Sequence, residues 1–364
     1  MQLDFHYYAT YCAAVLAGYS HEESLDIAYS AQFVDLCSPT LIKKLKAPRP
    51  AATTQLQLEL ADARPDLLGL QQMTRIWASF HFLPYDLYAE KKVLSKSYRN
   101  KYRLICGPNG DLTVKTVELA KRGTLQSVGI AMHVLADTWA HRYFAGTPSL
   151  VINNTYPFFY ELLRDGDKVT ERKVSFNYKP SGEDDLEQGR FSHSVYQGDE
   201  RSIMNLGHGR AGHLPDYSFA RYKYLPAWND YGELIKDNPS DYLHAFGQMI
   251  YAMKYLRGEH EAFAKETYDW EEVQPWKAEI KAILEKRQLN ANEDWKRFGE
   301  KLAGETIPEF DVETHQMEYW DADEEEKEDT FLGKFFAAAI AQKSMVTEEI
   351  YKSGNLLAGV SKRK

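Results

Sequence analysis

With 364 residues the chain has room for one large domain or two, and 44% hydrophobic and 13% aromatic residues suffice for a buried core, which sets disorder aside. A net charge of −9, from 44 basic and 53 acidic residues, excludes a broad nucleic-acid surface but not a small nucleotide or phosphodiester held at a metal. Cys12, Cys37 and Cys106, without a CxxC spacing, exclude a disulfide framework and thiolate metal sites, and leave the eleven histidines as ligand candidates.

Residues 5–17 predict a helix with Phe5, Ala9, Cys12, Ala13 and Leu16 as apolar positions and Gly18 as its stop. Ser20, His21, Glu22 and Glu23 fit a capping box. It opens a second helix with Leu25, Ala28, Ala31 and Val34 apolar and Asp35 at its end. Residues 38–53, rich in Pro and Lys, are expected to be loop. A helix over 66–82 carries His81 near its end and is stopped by Pro84. Within 91–116, residues 107–110 mark a turn whose flanks, RLIC and LTVKTV, are expected to form a hairpin. The strongest pattern is one long helix over 116–145.

Residues 164–202 are polar and irregular, an insertion or lid with minor strands. GHGRAGHLPDYS (207–218) reads as loop. Helices follow over 239–257, 275–288, 292–303 and 330–343, with DADEEEKED (321–329) a solvated acidic linker. The expected organisation is a helical core over 1–260 with its insertion, then a helical extension over 261–364. No basic or apolar signal region opens the chain and no run of about 18 apolar residues occurs. The expectation is therefore no transmembrane segment, and a cytoplasmic protein or one exported without an N-terminal signal. The oligomeric state is left open.

The chemistry concentrates in AMHVLADTWAHRYF. His133, Asp137 and His141 stand four residues apart, and each four-residue step advances about 40°, so all three fall within about 80° of one helix face. A His-Asp-His stripe among Val128, Met132, Leu135, Trp139 and Phe144 points to a divalent metal, zinc by preference, held by imidazole nitrogen and carboxylate oxygen. The alternative is a hydrogen-bonded pair that satisfies a buried imidazole. A zinc site takes three or four ligands at about 2.0–2.2 Å from several elements. His6, Asp35, His81, His208, His213 and Asp216 lie at helix ends or in Gly-rich turns that can supply them. So many candidates favour a cluster of one to three ions over one structural zinc. Asp35 and Asp137 are candidates to bridge metals or serve as base, and Arg142 and Arg210 to hold a phosphate oxygen. His21, His193, His260 and His315 are expected to be surface or solvated residues, and His244, sharing a face with Asp241 and Gln248, to make a core hydrogen bond.

Together, DFHYYATY, AYSAQFVD (28–35), HVLADTWAH (133–141) and GHGRAGHLPD (207–216) resemble an uncharacterised bacterial domain family, over most of residues 1–257. More distantly the arrangement is similar to the zinc-dependent phospholipase C and single-strand nuclease superfamily. Its members are mostly helical and hold three zincs with His and Asp. Its helical His-x3-Asp motif, followed closely by another His, matches His133, Asp137 and His141. By the same resemblance His6, Asp35, His81, His213 and Asp216 stand where further ligands are expected. Two departures stand out. The superfamily gives a metal the backbone amine and carbonyl of an N-terminal Trp, whereas here the sequence opens with Met1, and Asp4 is a possible substitute. A Pro-containing turn usually follows the central Asp, whereas TWA continues the helix.

The sequence thus leads to an all-α fold, mainly, with a phospholipase C-like multi-helix core and a small irregular or β insertion. The expected function is metal-dependent hydrolysis of a phosphoester or phosphodiester by metal-activated hydroxide. The ion would be Zn2+ or another divalent metal, and the substrate a small phosphoester, phospholipid or nucleotide. The alternative is a non-catalytic helical metal-binding or interaction protein. A His-Asp-dipeptide phosphohydrolase is disfavoured because that dipeptide is absent.

Overall fold

The computed structural model describes residues 1–56, 59, 67–91, 95–177, 182–192 and 207–360; His193 lies outside them. Among these residues the chain is mainly helical with a small sheet. A π-helical turn, Asp4–Ala9, runs into α1 (Thr10–Leu16). There follow α2 (His21–Phe33), α3 (Leu67–Phe80), α4 (Asp111–Ala120) and α5 (Leu125–Ala140). After the sheet come α6 (Asn238–Leu256), α7 (Asn292–Ala303) and α8 (Phe331–Lys352).

The axis of the fold is α5, buried continuously from Val128 to Ala140, and α2, α3, α4, α6 and α8 pack around it. A helix apolar on all sides needs such a jacket. The closest approach is to α2, at Gly129, where a Cβ would lie 2.4 Å from the carbonyl oxygen of Ile27 and 2.5 Å from Ser30 Cβ. The capping box forms as expected: Ser20 Oγ accepts from Glu23 N, and Glu23 Oε2 accepts from Ser20 N.

Several boundaries depart from the sequence reading. The long helix expected over 116–145 is two helices, α4 and α5, because 121–124 form a turn in which Thr124 N donates to Ser127 Oγ. The expected hairpin is absent: LTVKTV belongs to α4. Its β-branched residues favour a strand only weakly, and burying Leu112, Thr113, Thr116, Val117 and Ala120 overrides that preference. Within RLIC, Ile105 and Cys106 make only isolated bridges, to Ala145 and Pro84. The expected loop over 38–53 contains a helix, Pro39–Leu45, capped by Ser38 with Pro39 at the position where its missing N–H costs nothing. The last helix runs nine residues past the expected 343, to Lys352.

The sheet has strand order β2-β1-β5-β6. It is built from β1 (Tyr160–Asp165), β2 (Lys168–Lys173), β5 (Arg221–Tyr224) and β6 (Leu234–Asp237), paired antiparallel in the registers Tyr160 to Lys173, Tyr160 to Lys223 and Arg221 to Asp237. A parallel pair, β3 (Ser175–Asn177) and β4 (Arg190–Ser192), lies between them in sequence. The β region therefore reaches well beyond 164–202. It encloses a second apolar cluster containing Phe82, Phe144, Phe159, Phe191, Tyr222 and Tyr224, against which the 207–218 loop is seated through Ala211, Leu214 and Tyr217.

The segment expected as an extension shares the main core. Trp295 of α7 meets Phe5 and Phe246, and Phe335 of α8 meets Phe33. No described helix is long and apolar enough to cross a membrane. All three cysteines are free and buried.

Candidate metal centre

Four other elements converge on the polar stripe of α5. That helix supplies His133 and Asp137, and ends at His141 as its C-cap. The π turn supplies His6, whose ring stacks on His133 with centroids 3.8 Å apart. Single π turns inserted into helices recur at functional sites. Asp35 follows the end of α2, His81 follows the end of α3, and the Gly-rich loop brings His208 and Asp216. Three groups of ligand atoms result, each within 4.8 Å of one another: His6, His133 and Asp137; Asp35, His81 and His133; His141, His208 and Asp216.

The hydrogen bonds set the ring orientations. His133 Nδ1 lies 2.8 Å from the Ala31 carbonyl, His81 Nε2 3.1 Å from that of Thr53, His141 Nδ1 2.7 Å from that of His81, and His208 Nδ1 2.7 Å from that of Gly212. A carbonyl only accepts, so each of these nitrogens donates its proton, and in a neutral ring the other nitrogen presents a lone pair. Those second nitrogens face oxygen. His81 Nδ1 and His133 Nε2 are each 3.3 Å from Asp137 Oδ2, and 3.3 Å from one another. His141 Nε2 is 3.3 Å and His208 Nε2 3.7 Å from Asp216 Oδ1. Neither ring nitrogen of His6 makes a hydrogen bond, although Nε2 lies 3.2 Å from Asp137 Oδ1.

Burial keeps two of the imidazoles in the neutral, metal-accepting form. It pushes His6 and His208 down to about 4, so both are neutral at pH 7. Burial works against the charge of Asp137, yet His141, the Met1 amine, His133 and His6 hold its carboxyl well below the usual range. Asp216 is held low in the same way, against its burial, chiefly by His208 and the Met1 amine.

That amine is the contributor the sequence reading missed. Met1 N lies 2.9 Å from Asp137 Oδ1, 3.4 Å from Asp216 Oδ1 and 3.4 Å from His141 Nε2. Burial opposes its charge, but Asp137, Asp216 and Asp35 outweigh that and raise it to about 11. The resemblance to a superfamily that uses a terminal amine was the one available signal. Asp4 does not take this place: its Oδ2 accepts from Ala291 N at 3.0 Å, joining the first turn to the segment before α7.

The remaining candidates fall elsewhere. His213 is beside the cluster rather than within its three groups: Nδ1 donates to Asp216 Oδ2 at 2.8 Å and the ring is 41% exposed. Arg142 is committed to Asp241, at 2.8 Å, and lies over the Tyr143 ring. Arg210 Nη2 donates to Asn154 Oδ1 at 3.4 Å. His244 bonds the Ser240 carbonyl, while His21 accepts or donates with Tyr11 at the surface of α2. His315 and His260 are not simply solvated. They are half-buried, stacked on Phe331 and packed against Tyr251 respectively.

The donor set fits a divalent cation. Imidazole lone pairs directed at carboxylate oxygens repel unless a proton or cation lies between them. The Met1 ammonium does this beside His141, Asp137 and Asp216, and a divalent ion would do it for all three groups. Ligating histidines characteristically donate their other N–H to a backbone carbonyl or carboxylate. No curated protein and no solved structure matches this chain. Residues 1–350 match the family described as "Family of unknown function (DUF6765)", and the chain belongs to that family.

Proposed function

We propose that this chain is a divalent-metal-dependent hydrolase of a phosphoester or phosphodiester, built on a core of the phospholipase C and single-strand nuclease kind. The observation that carries the reading is the set of four imidazoles, each donating one N–H to a backbone carbonyl and turning its other nitrogen toward Asp35, Asp137 or Asp216. His6, His81, His133, Asp35 and Asp137 would hold ions on one side, and His141, His208 and Asp216 on the other. Zinc suits the mixed nitrogen and oxygen donors. Bound there, the ion supplies Lewis acidity and a hydroxide nucleophile near neutral pH. The resembled superfamily uses a terminal amine at its metals, and here the Met1 amine lies 2.9 Å from Asp137 Oδ1, which supports the reading.

The two carboxylates proposed for catalysis divide by environment. Asp137 is 1% exposed and hemmed in by the Met1 amine, His6, His81 and His133, which suits bridging. Asp35, 28% exposed, can reach a substrate or water and hold the proton that hydrolysis removes. Arg142 shares the single carboxylate of Asp241 with the buried Lys236 amine, so phosphate binding by Arg142 competes with its hold on Asp241. A metal-loaded Asp35→Asn variant should bind ions but lose phosphodiesterase turnover by about 100-fold or more, the usual scale for a lost acid/base group. Equal turnover by variant and wild type on bis(p-nitrophenyl) phosphate would remove Asp35 from the mechanism, and no turnover by either would turn the reading toward its alternative.

That alternative is a non-catalytic metal-binding protein. The complete burial of His6, His133 and Asp137 favours a structural ion in that one group. A structural zinc takes four protein ligands and leaves no open position, whereas each of the three groups offers three side chains.

A further inference from the structure

Where the helix Pro39–Leu45, α3 and α8 meet, they enclose a cavity of about 790 Å³. It shares no lining residue with the metal centre. Pockets for small organic ligands run from about 300 to 1,000 Å³. Among the described residues its lining carries Lys43, Lys46, Arg49, Arg75 and Lys343 and no carboxylate. Among the described residues none of these five side chains is in an ion pair. In a chain of net charge −9, five cations around one hollow, none of them in an ion pair with a described residue, make a locally positive field.

The deepest of them is Lys343. Its amine donates to the Ala52 carbonyl at 2.7 Å and forms no ion pair among the described residues, and burial pushes it down to about 8. Arg75 Nε donates to the Ala358 carbonyl at 2.6 Å. Burying a cation without a counter-charge is costly, and an incoming anion removes that cost. Ile42, Ile76 and Leu68 give the same cavity an apolar share, with Leu68 64% exposed at its edge.

We propose that this cavity binds a small organic phosphate carrying two or more negative charges, anchored by Lys343 and Arg75 and drawn in by Lys43, Lys46 and Arg49 at the exposed rim. The phosphate belongs either to a free small molecule or to the headgroup of an anionic lipid.

Calorimetric titration with pyrophosphate and with dihexanoyl phosphatidic acid, and sedimentation with phosphatidylcholine vesicles with and without phosphatidic acid, test this. Saturable binding of a soluble probe is expected. It should weaken about tenfold or more in Lys343→Met, the scale of one lost charge-assisted hydrogen bond, and return in Lys343→Arg. The triple rim variant Lys43→Gln, Lys46→Gln, Arg49→Gln, whose side chains are exposed and whose loss leaves the core intact, should weaken binding as well. Binding only to vesicles containing phosphatidic acid, lost in the rim variant, supports the site with a lipid as its source. No binding of any probe overturns the proposal. So does binding that the rim variant leaves unchanged, which places the anion elsewhere, the metal centre included.

Discussion

At the residue scale, the centre is governed by which ring nitrogen carries the proton. Backbone carbonyls of Ala31, Thr53, His81 and Gly212 make that choice for four histidines. A second residue-scale effect lies outside the centre. Burial, with Glu318 nearby, raises Asp26 from 3.8 to about 6 despite Lys334. The folded state therefore binds this proton more tightly than the unfolded state. The stability it contributes is fully present below pH 3.8 and is lost as pH rises through about 6. Asp26→Asn should raise the melting temperature at about pH 8 and leave it unchanged near pH 3.5. Thermal melts at the two pH values check this, and an equal shift at both would contradict it.

Element by element, the metal centre depends on how closely α2 lies on α5. Gly129 permits that approach, and the Ala31 carbonyl that orients His133 is on the facing turn of α2. Gly129→Ala should destabilise the fold by about 1–3 kcal/mol, as overpacking does. It should also reduce metal content, because His133 loses its backbone acceptor. Denaturant melts and elemental analysis of the same sample separate the two effects. A stable variant with full metal content would contradict this account of the contact.

The same elements explain what the sequence made legible. The His133-Asp137-His141 stripe is visible because a helix converts four-residue spacing into one face. Asp35, His81, His208 and Asp216 were placed by a simpler rule, that ligands sit at helix ends and glycine-rich turns. Convergence of those ends was not readable, because it depends on how α2, α3 and the loop pack on α5. The split between α4 and α5 was missed because the apolar pattern continues through 121–124. Met1 is noted in the sequence only as a departure from an N-terminal Trp, because the burial of its backbone amine against Asp137 depends on the packing of the first turn on α5.

On the scale of the whole molecule, a division at residue 260 does not separate two cores. Phe5 packs on Trp295, Phe33 on Phe335, and Gln342 Nε2 donates to the Ser79 carbonyl and to Thr116 Oγ1. Both the π turn holding His6 and the end of α3 leading to His81 thus lean on the C-terminal helices. A chain ended at residue 260 should expose those apolar faces and show no cooperative thermal transition. A sharp transition near that of the full chain would establish 1–260 as an independent unit.

The central claim is that the convergent histidines and aspartates hold divalent metal. Elemental mass spectrometry of the purified protein, wild type beside His133→Ala, tests it most directly, since His133 belongs to two of the three ligand groups. The account predicts one to three zinc ions, or equivalent divalent metal, per wild-type chain and fewer in the variant. Wild-type protein free of metal after reconstitution, or a variant with unchanged content, would contradict it and return the cluster to a buried hydrogen-bond network around the Met1 amine.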